Sequence, residues 1–462
     1  MTVEPEPVQP EPVQPEPVES EPVESGPVES EPAASLRGRT MELDVGPVAH
    51  GGHCVARLDG PHGRVVFVRH ALPGERVRVV VTEDAGGSFC RADAVEVLTP
   101  SPHRVTPPCP YAGPGRCGGC DWQHAEPAHQ RALKAAVVAE QLHRLAGVDM
   151  DVVVEELPGG ALGWRRRVDY VADDRGRLGL RRHRSHAVQP VDRCRIGAAG
   201  VGDAAALARR WPRGTAVTVA AGDDDRTSVL AARAAPSPRP SRGRRRPAPA
   251  AAPQLRSGPA QLSYTVDGRP FHVAAGGFWQ PHLHAATTLT QAVLGAGEPG
   301  PGETVLDLYA GAGLFTAALA DAVGATGRVV GVEGSSRAGR DAAANLAPWP
   351  WAEVRTRAVT ADAVAALPDA DLVVLDPPRA GAGREVMTAI LARAGRGVVY
   401  VACDPAALAR DVRTALDLGW RIGGLRAFDA FPMTHHVECV CLLTAPASAG
   451  AARRPPVSST PP

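Results

Sequence analysis

The sequence predicts an α/β protein: a parallel sheet covered on both faces by helices, preceded by a small β-barrel and an α+β middle region. Three observations carry this. After Gly302, apolar runs rich in β-branched residues (TVLDLY, GRVVGVE, LVVLDPP, GVVYVAC) alternate with helix-length segments, which implies right-handed crossovers and a sheet buried on both sides. Across residues 41–99, short alternating runs such as MELDV, GRVVFV, ERVRVVV and CRADAVEVL are separated by the turn signals LDGPHG, LPGE and DAGG. Five short strands in so short a stretch fit an OB-type barrel, a fold that often grips nucleic acid backbone. Between the two, residues 150–290 mix strand patterns (VDYVAD, RLGLRRH) with loops.

The elements follow in order. Residues 1–35 are a Pro/Glu tail with a five-residue repeat (EPVQP, EPVES), too proline-rich and too polar to fold. Residues 36–101 form the barrel, and residues 102–290 the central region, which opens on a Cys-, Pro- and Gly-rich stretch followed by a helix from Pro127 to Leu145. A basic insertion interrupts it at 234–258, with PSPRPSRGRRRPAPAAAP at its heart. Residues 291–446 hold the parallel sheet, closed by ECVCLLTA, and 447–462 form a second loose tail.

With 462 residues, 44% of them hydrophobic, the chain can fill more than one core. The tail carries nine Glu and no basic residue, which leaves 41 acidic against 50 basic residues beyond it. That folded portion is net basic, and Lys134 is its single lysine. Arginine offers bidentate contacts to phosphate and stacks on bases, although a genome that encodes Arg in place of Lys gives the same preference. No long uncharged apolar stretch and no basic n-region ahead of an apolar segment is present, so a cytoplasmic protein without membrane contact is expected. Nine cysteines in a chain of this kind point to reduced thiols, metal ligands or nucleophiles rather than a disulfide framework.

In VLDLYAGAGLFTAALA a strand ends near Asp307, Gly311 and Gly313 form a turn, and a helix begins. Glycines allow close backbone approach to a ligand, and the helix start offers free N–H groups. Thr316 stands where a third dinucleotide-motif glycine belongs, which favours a cofactor without pyrophosphate. Glu333, at the end of the next strand, is placed to accept from ribose hydroxyls, and Asp362 follows the third strand, facing an adenine edge. Together they outline a methyl-donor nucleoside pocket. Asp376 and the two prolines after it make a rigid shelf at the sheet's carboxyl edge, and Arg379 stands where amino-group methylases commonly carry an aromatic residue. Cys403 closes the VVYVAC strand, where a thiol is either packing or chemistry.

The motifs CPYAGPGRCGGC, GFWQPH, DLYAGAGLFT, LDPPRAG, YVACDPAALARD and HHVEC, in this order across roughly residues 41–445, resemble the S-adenosylmethionine-dependent RNA uracil-C5 methyltransferases. The resemblance is to the type with an N-terminal TRAM domain and an iron–sulfur cluster, which acts on ribosomal RNA. It implies a Rossmann-like class I methyltransferase domain, a TRAM barrel and a central RNA-binding domain. It further implies Cys403 as nucleophile toward C6 of uracil, with Glu438 as the base that removes the C5 proton. A free thiol, of pKa about 8.5, is mostly un-ionised at neutral pH, so helix N–H groups at residues 405–408 are expected to help.

The same resemblance gives Gln280 a cofactor or uracil contact, the backbone around Tyr309 and Gly311 a cofactor contact, Glu333 the ribose, and Asp376 a hold on base or cofactor. Family members usually read S-C-N-P where this chain has Ala402-Cys403-Asp404-Pro405, and often carry Asn in place of His282. Cys109, Cys117, Cys120 and Cys194 form a four-thiol set suited to a 4Fe–4S cluster or to zinc, and the resemblance selects iron–sulfur. Cys54, Cys90, Cys439 and Cys441 read as packing residues. Arg165–Arg167, Arg181, Arg182 and Arg184, with Trp164 and Tyr170 interleaved, are expected to meet single-stranded RNA by charge and stacking. The expected partner is RNA, ribosomal ahead of transfer RNA, with no obligate protein partner. A transfer-RNA methylase and a non-catalytic iron–sulfur RNA-binding protein are the competing readings.

Overall fold

The computed structural model describes residues 35–58, 60, 62–233 and 252–446. Nearly all of the expected N-terminal tail, the C-terminal tail and most of the basic insertion lie outside the described residues.

The barrel is a five-stranded sheet of β1 (Thr40–Asp44), β2 (Cys54–Arg57), β3 (Val65–Arg69), β4 (Arg76–Glu83) and β5 (Phe89–Thr99), in the order β1-β4-β5-β3-β2. Alternation decides which face is inside: Val66 and Val68 on β3 and Val77, Val79 and Val81 on β4 are buried, and Cys54 and Cys90 pack among them. The Cys-rich segment then leads to α1 (Pro127–Gln141), where Pro at the first helical position costs no hydrogen bond. A π-helical turn, Leu142–Ala146, ends it against Gly147 in the left-handed conformation.

β6 (Val154–Glu156) leaves its sequence neighbours to join the last sheet of the chain. The central region is a six-stranded antiparallel sheet of β7 (Arg167–Ala172), β8 (Leu178–Arg181), β9 (Val188–Pro190), β10 (Ala216–Ala221), β11 (Thr227–Ala232) and β12 (Gln254–Ser257). β12 corrects the expected extent of the insertion: residues 254–257 pair with β11 instead of continuing an unfolded loop. β13 (Gln261–Val266) and β14 (Arg269–Ala274) form a hairpin turned by Asp267-Gly268, both at positive φ, the Asp-Gly signature of a tight hairpin turn.

The α/β region runs α2 (Ala285–Gly297), β15 (Thr304–Leu308), α3 (Leu314–Val323), β16 (Arg328–Glu333), α4 (Ser336–Asn345), β17 (Ala352–Thr356), α5 (Ala361–Ala365), β18 (Ala370–Leu375), α6 (Arg384–Arg393), β19 (Ala394–Ala402), α7 (Pro405–Asp417), β20 (Arg421–Asp429) and β21 (Glu438–Thr444). Its sheet has the order β17-β16-β15-β18-β19-β21-β20-β6. The pairs from β17 to β19 are parallel, β21 is antiparallel to β19 and β20, and β6 pairs parallel to β20. Leu372–Leu375 and Val398–Val401 are fully buried, as strands with helices on both faces require. Cys439 and Cys441 share one packed face of β21, as their spacing implies.

Candidate active site

The carboxyl ends of β15, β16, β18 and β19 open on one cavity of about 1250 Å³. Its walls include Tyr309, Gly311, Glu333, Gln280, Asp376, Cys403 and Glu438, so one cavity gathers these site residues named from the sequence. Asp362 is not among the lining residues: it sits exposed in the first turn of α5, whose N-terminus it suits as a carboxylate.

The cofactor side is made by the turn between β15 and α3. Tyr309 (φ 63°), Gly311 (φ 58°) and Gly313 (φ 88°) all take left-handed backbone, which Tyr309 adopts only where its surroundings hold it. One brace is Glu333, whose carboxylate accepts the Gly311 N–H at 2.9 Å and the Ser335 N–H at 2.6 Å. Below the turn, Asp307 is fully buried and takes the Thr316 hydroxyl. The hydroxyl at the missing third glycine thus has a structural task. Burial pushes the Asp307 carboxyl up to about 7, and its Oδ1 is without a partner. Asp307 carries a signal that the sequence reading passed over, an acid inside an apolar strand.

The reactive side draws on distant segments. Cys403, at the end of β19, is half-buried, and burial pushes its thiol up to about 12, with the Glu438 and Asp376 charges adding and Arg379 opposing. Most of the expected help from α7 is taken up locally. Pro405 has no N–H, Asp404 Oδ1 takes the Ala407 N–H at 2.9 Å, and the Asp404 carbonyl takes that of Leu408. Asp404 is the helix cap, and its carboxylate also meets His50 of the barrel at 3.1 Å. Glu438, 4% exposed, is raised well above the usual carboxylate range by burial and by Asp376. Asp376 is raised by burial and by Asp307, and Gln280 Nε2 lies 3.5 Å from its Oδ2. Two buried carboxyls that disfavour each other's ionisation can share a proton near neutral pH.

The loop between β20 and β21 positions Glu438, and it is pinned from three directions. Lys134 of α1, fully buried, donates to Asp429 Oδ1 and to the Phe431 carbonyl. Gln130 accepts the Met433 N–H at 2.8 Å and donates to the Trp122 and Ala125 carbonyls. Asp121, next to Cys120, accepts from the His435 N–H at 3.2 Å and lies 2.6 Å from His435 Nδ1, while Arg69 of β3 reaches its other oxygen. His436 is kept neutral, its pKa pushed down to about 3 by burial, with His435 and Arg379 adding. Its Nε2 therefore accepts from Arg379 at 3.1 Å and holds that guanidinium in the cavity wall.

Two expectations about the central region are overturned. Trp164 (1% exposed) and Tyr170 (0%) are core residues and cannot stack on RNA bases. The Tyr170 hydroxyl donates to the Val201 carbonyl, and Trp164 stacks on His282, which is itself buried with its Nδ1 accepting the His284 N–H. Arg166 is likewise buried on Asp223, whereas Arg165 and Arg167 do line the cavity and Arg181, Arg182 and Arg184 are exposed.

Cys109, Cys117, Cys120 and Cys194 occupy one neighbourhood: Cys117 is influenced by Cys194 and Cys109, and Cys120 by Cys117 and Cys194. Burial pushes the Cys117 thiol up to about 11, opposed by the Gly119 N–H. Among the described residues, no group of three or more His, Cys, Asp or Glu side chains is arranged to hold a metal ion. All nine cysteines are free thiols.

The tRNA (Uracil-5-)-methyltransferase family model matches residues 261–446, and the TRAM domain model matches residues 34–95. A 23S rRNA (uracil(1939)-C(5))-methyltransferase, RlmD, of Thiobacillus denitrificans is 34% identical, over 87% of this chain and 98% of its own. This chain belongs to the RNA uracil-C5 methyltransferase family. The methyltransferase is also 47% identical to an uncharacterized RNA methyltransferase of Streptomyces avermitilis, over 89% of this chain and 100% of that one. In fold it matches the Pyrococcus abyssi tRNA (uracil-54, C5)-methyltransferase, crystallised with S-adenosyl-L-homocysteine, at a TM-score of 0.63 and 22% identity, over 87% of this chain and 100% of the other. It is thus an S-adenosylmethionine-dependent enzyme acting on RNA, with the α/β domain and N-terminal TRAM barrel that the sequence predicts. Among the described residues no helix is long and apolar enough to cross a membrane.

Proposed function

We propose that this enzyme methylates C5 of a uridine in 23S ribosomal RNA through a covalent bond between Cys403 Sγ and C6 of the base. The observation that carries the reading is the single cavity shared by Cys403, Glu438, Asp376 and Gln280 with Gly311 and Glu333. Its volume exceeds that of an ordinary small-ligand site, about 300–1,000 Å³, and leaves space for a cofactor beside a flipped base. S-adenosylmethionine supplies an electrophilic methyl group. Tyr309, Gly311 and Glu333 are its proposed holders, with Glu333 facing the ribose.

Uracil C5 is a poor nucleophile, and Cys403 corrects that. After Cys403 Sγ gives its proton to solvent, the thiolate adds to C6 and the electron pair moves toward the C4 oxygen; the resulting enolate would attack the methyl group through C5, breaking its bond to sulfur so that S-adenosylhomocysteine leaves. Glu438 then takes the C5 proton, the C5–C6 double bond re-forms and the Cys403–C6 bond breaks. The Asp376 and Glu438 carboxyls, both raised, share one proton: one of the pair holds the base with Gln280 while the other stays free to take a proton, and the shared proton removes one charge opposing the thiolate. A ribosomal target is supported by the 34% identity to RlmD. A cytoplasmic setting follows from that target. Cysteines 109, 117, 120 and 194 are proposed to hold a 4Fe–4S cluster, on the resemblance carried by CPYAGPGRCGGC and the affinity of thiolates for iron, and the four thiols would have to draw together to do so. No step of methyl transfer runs through it.

The test is incubation of the purified protein with methyl-labelled S-adenosylmethionine and separate 23S and transfer-RNA transcripts. Label in 5-methyluridine of 23S RNA is expected. Label confined to transfer RNA overturns the target, and no label in 5-methyluridine overturns the activity. Iron and acid-labile sulfide analysis of anaerobically purified protein decides the cluster: about four of each per chain are expected, and none removes it.

A further inference from the structure

The barrel does more than stand beside the site. Its loop between β1 and β2 reaches the cavity wall at His435 and His183 and meets the start of α7 beside it. His50 Nε2 meets Asp404 Oδ2 at 3.1 Å, one residue from Cys403. The Gly52 carbonyl accepts from Trp122 Nε1 at 3.1 Å, and a Cβ at Gly52 would lie 2.7 Å from that of His435, so only glycine allows the approach. The ring of His53 lies 5.9 Å from that of His183, itself a cavity residue. Of these contacts, His50–Asp404 is the one between opposite charges.

We propose that His50 and Asp404 form a latch holding the barrel loop against the start of α7, so that the barrel frames the entrance by which the target base reaches Cys403. His50 is then a positioning residue acting through Asp404. The inference rests on Cys403 as the reacting group only for its kinetic half; the docking half stands on geometry alone.

Three groups face His50: Asp404 and Arg410 on α7 and Glu140 at the end of α1. The hydrogen bond to Asp404 raises the His50 pKa above its ordinary value, against burial, and Glu140 adds to the rise while Arg410 opposes it. Asp404 is lowered by His50 and by the Ala407 N–H, against burial. A raised histidine contributes fully below about pH 6.5 and loses its contribution as pH climbs through the raised value. The lowered carboxylate contributes above about pH 4 and loses its contribution in stronger acid. The latch is therefore closed in mildly acidic to neutral solution and released in alkali.

The experiment uses the full chain and the variants His50→Gln and Asp404→Asn. Asn caps a helix as well as Asp does, so Asp404→Asn keeps the α7 start while removing the charge. Hydrogen exchange of residues 46–53, corrected for intrinsic rates, is followed at pH 6 and pH 9, with kcat/KM for RNA measured at the same values. The side chains are 38% and 23% exposed, so the ceiling is about fivefold. The native chain is expected to lose up to ~5-fold of protection between the two pH values, while both variants are fast at each. Variant kcat/KM should fall ~3–5-fold below native at pH 6 and converge with it at pH 9. Equal protection in all three proteins overturns the latch. A variant-to-native kcat/KM ratio that is flat with pH overturns the coupling to the site. If Cys403→Ala retains turnover, the reading of Cys403 fails, and the exchange result stands on its own.

Discussion

The cofactor side of the cavity comes largely from one stretch, from Asp307 through the glycine turn to Glu333 and Ser335. The reactive side is assembled from the barrel, the Cys-rich segment, α1, the GFWQPH segment and three separate strand ends, with Lys134 and Asp429 295 residues apart. The first is a local motif whose backbone does the binding. The second is a tertiary construction in which each reacting carboxyl or thiol is buried by residues far away in sequence. Binding sites of the first kind tolerate change elsewhere, and those of the second kind fail when a distant brace is lost.

Substitutions can break this contrast. Cys403→Ala should reduce methyl transfer by ~10⁴-fold or more while leaving S-adenosylmethionine binding intact by calorimetry; turnover within tenfold of native would remove Cys403 from the chemistry. Glu438→Gln should slow turnover by ~10²–10⁴-fold and let a protein–RNA adduct accumulate on denaturing gels. Continued methylation without adduct would take the base role from Glu438. Lys134→Met touches neither ligand, yet it leaves Asp429 buried and unpaired at a cost of about 3–5 kcal/mol. Urea unfolding should show this, and Lys134→Met combined with Asp429→Leu should recover most of it. Glu333→Gln is the mild case: the KM for S-adenosylmethionine should rise ~10-fold, a loss of about 1–2 kcal/mol, with RNA affinity unchanged.

The same contrast explains what the sequence made legible. Apolar runs and the glycine turn report on their own neighbourhoods, so β15, β16, β18, β19 and the turn between β15 and α3 could be placed directly. Cys403 and Glu438 were accessible through ordered motifs, and the structure brings both to one cavity. Arginines beside Trp164 and Tyr170 look like an RNA surface, but the pairing of β7 turns Tyr170 inward and stacking on His282 buries Trp164. Asp404 stands where the family usually has Asn, and no local pattern reports its partner His50, which lies 354 residues away in another sheet's loop. Asp362 followed a strand end as the pattern asks, but that strand is the sheet's edge and the acid went to a helix start.

β6 has a bearing on modularity. This three-residue strand, from well before the part matched by the methyltransferase family model, covers the backbone edge of β20. A fragment beginning at Gln261 would bare that edge and strand Asp429 without its lysine, inviting edge-to-edge association. The catalytic unit is thus discontinuous, and recombination that swaps its front half for another RNA-binding module must carry residues 127–156 along.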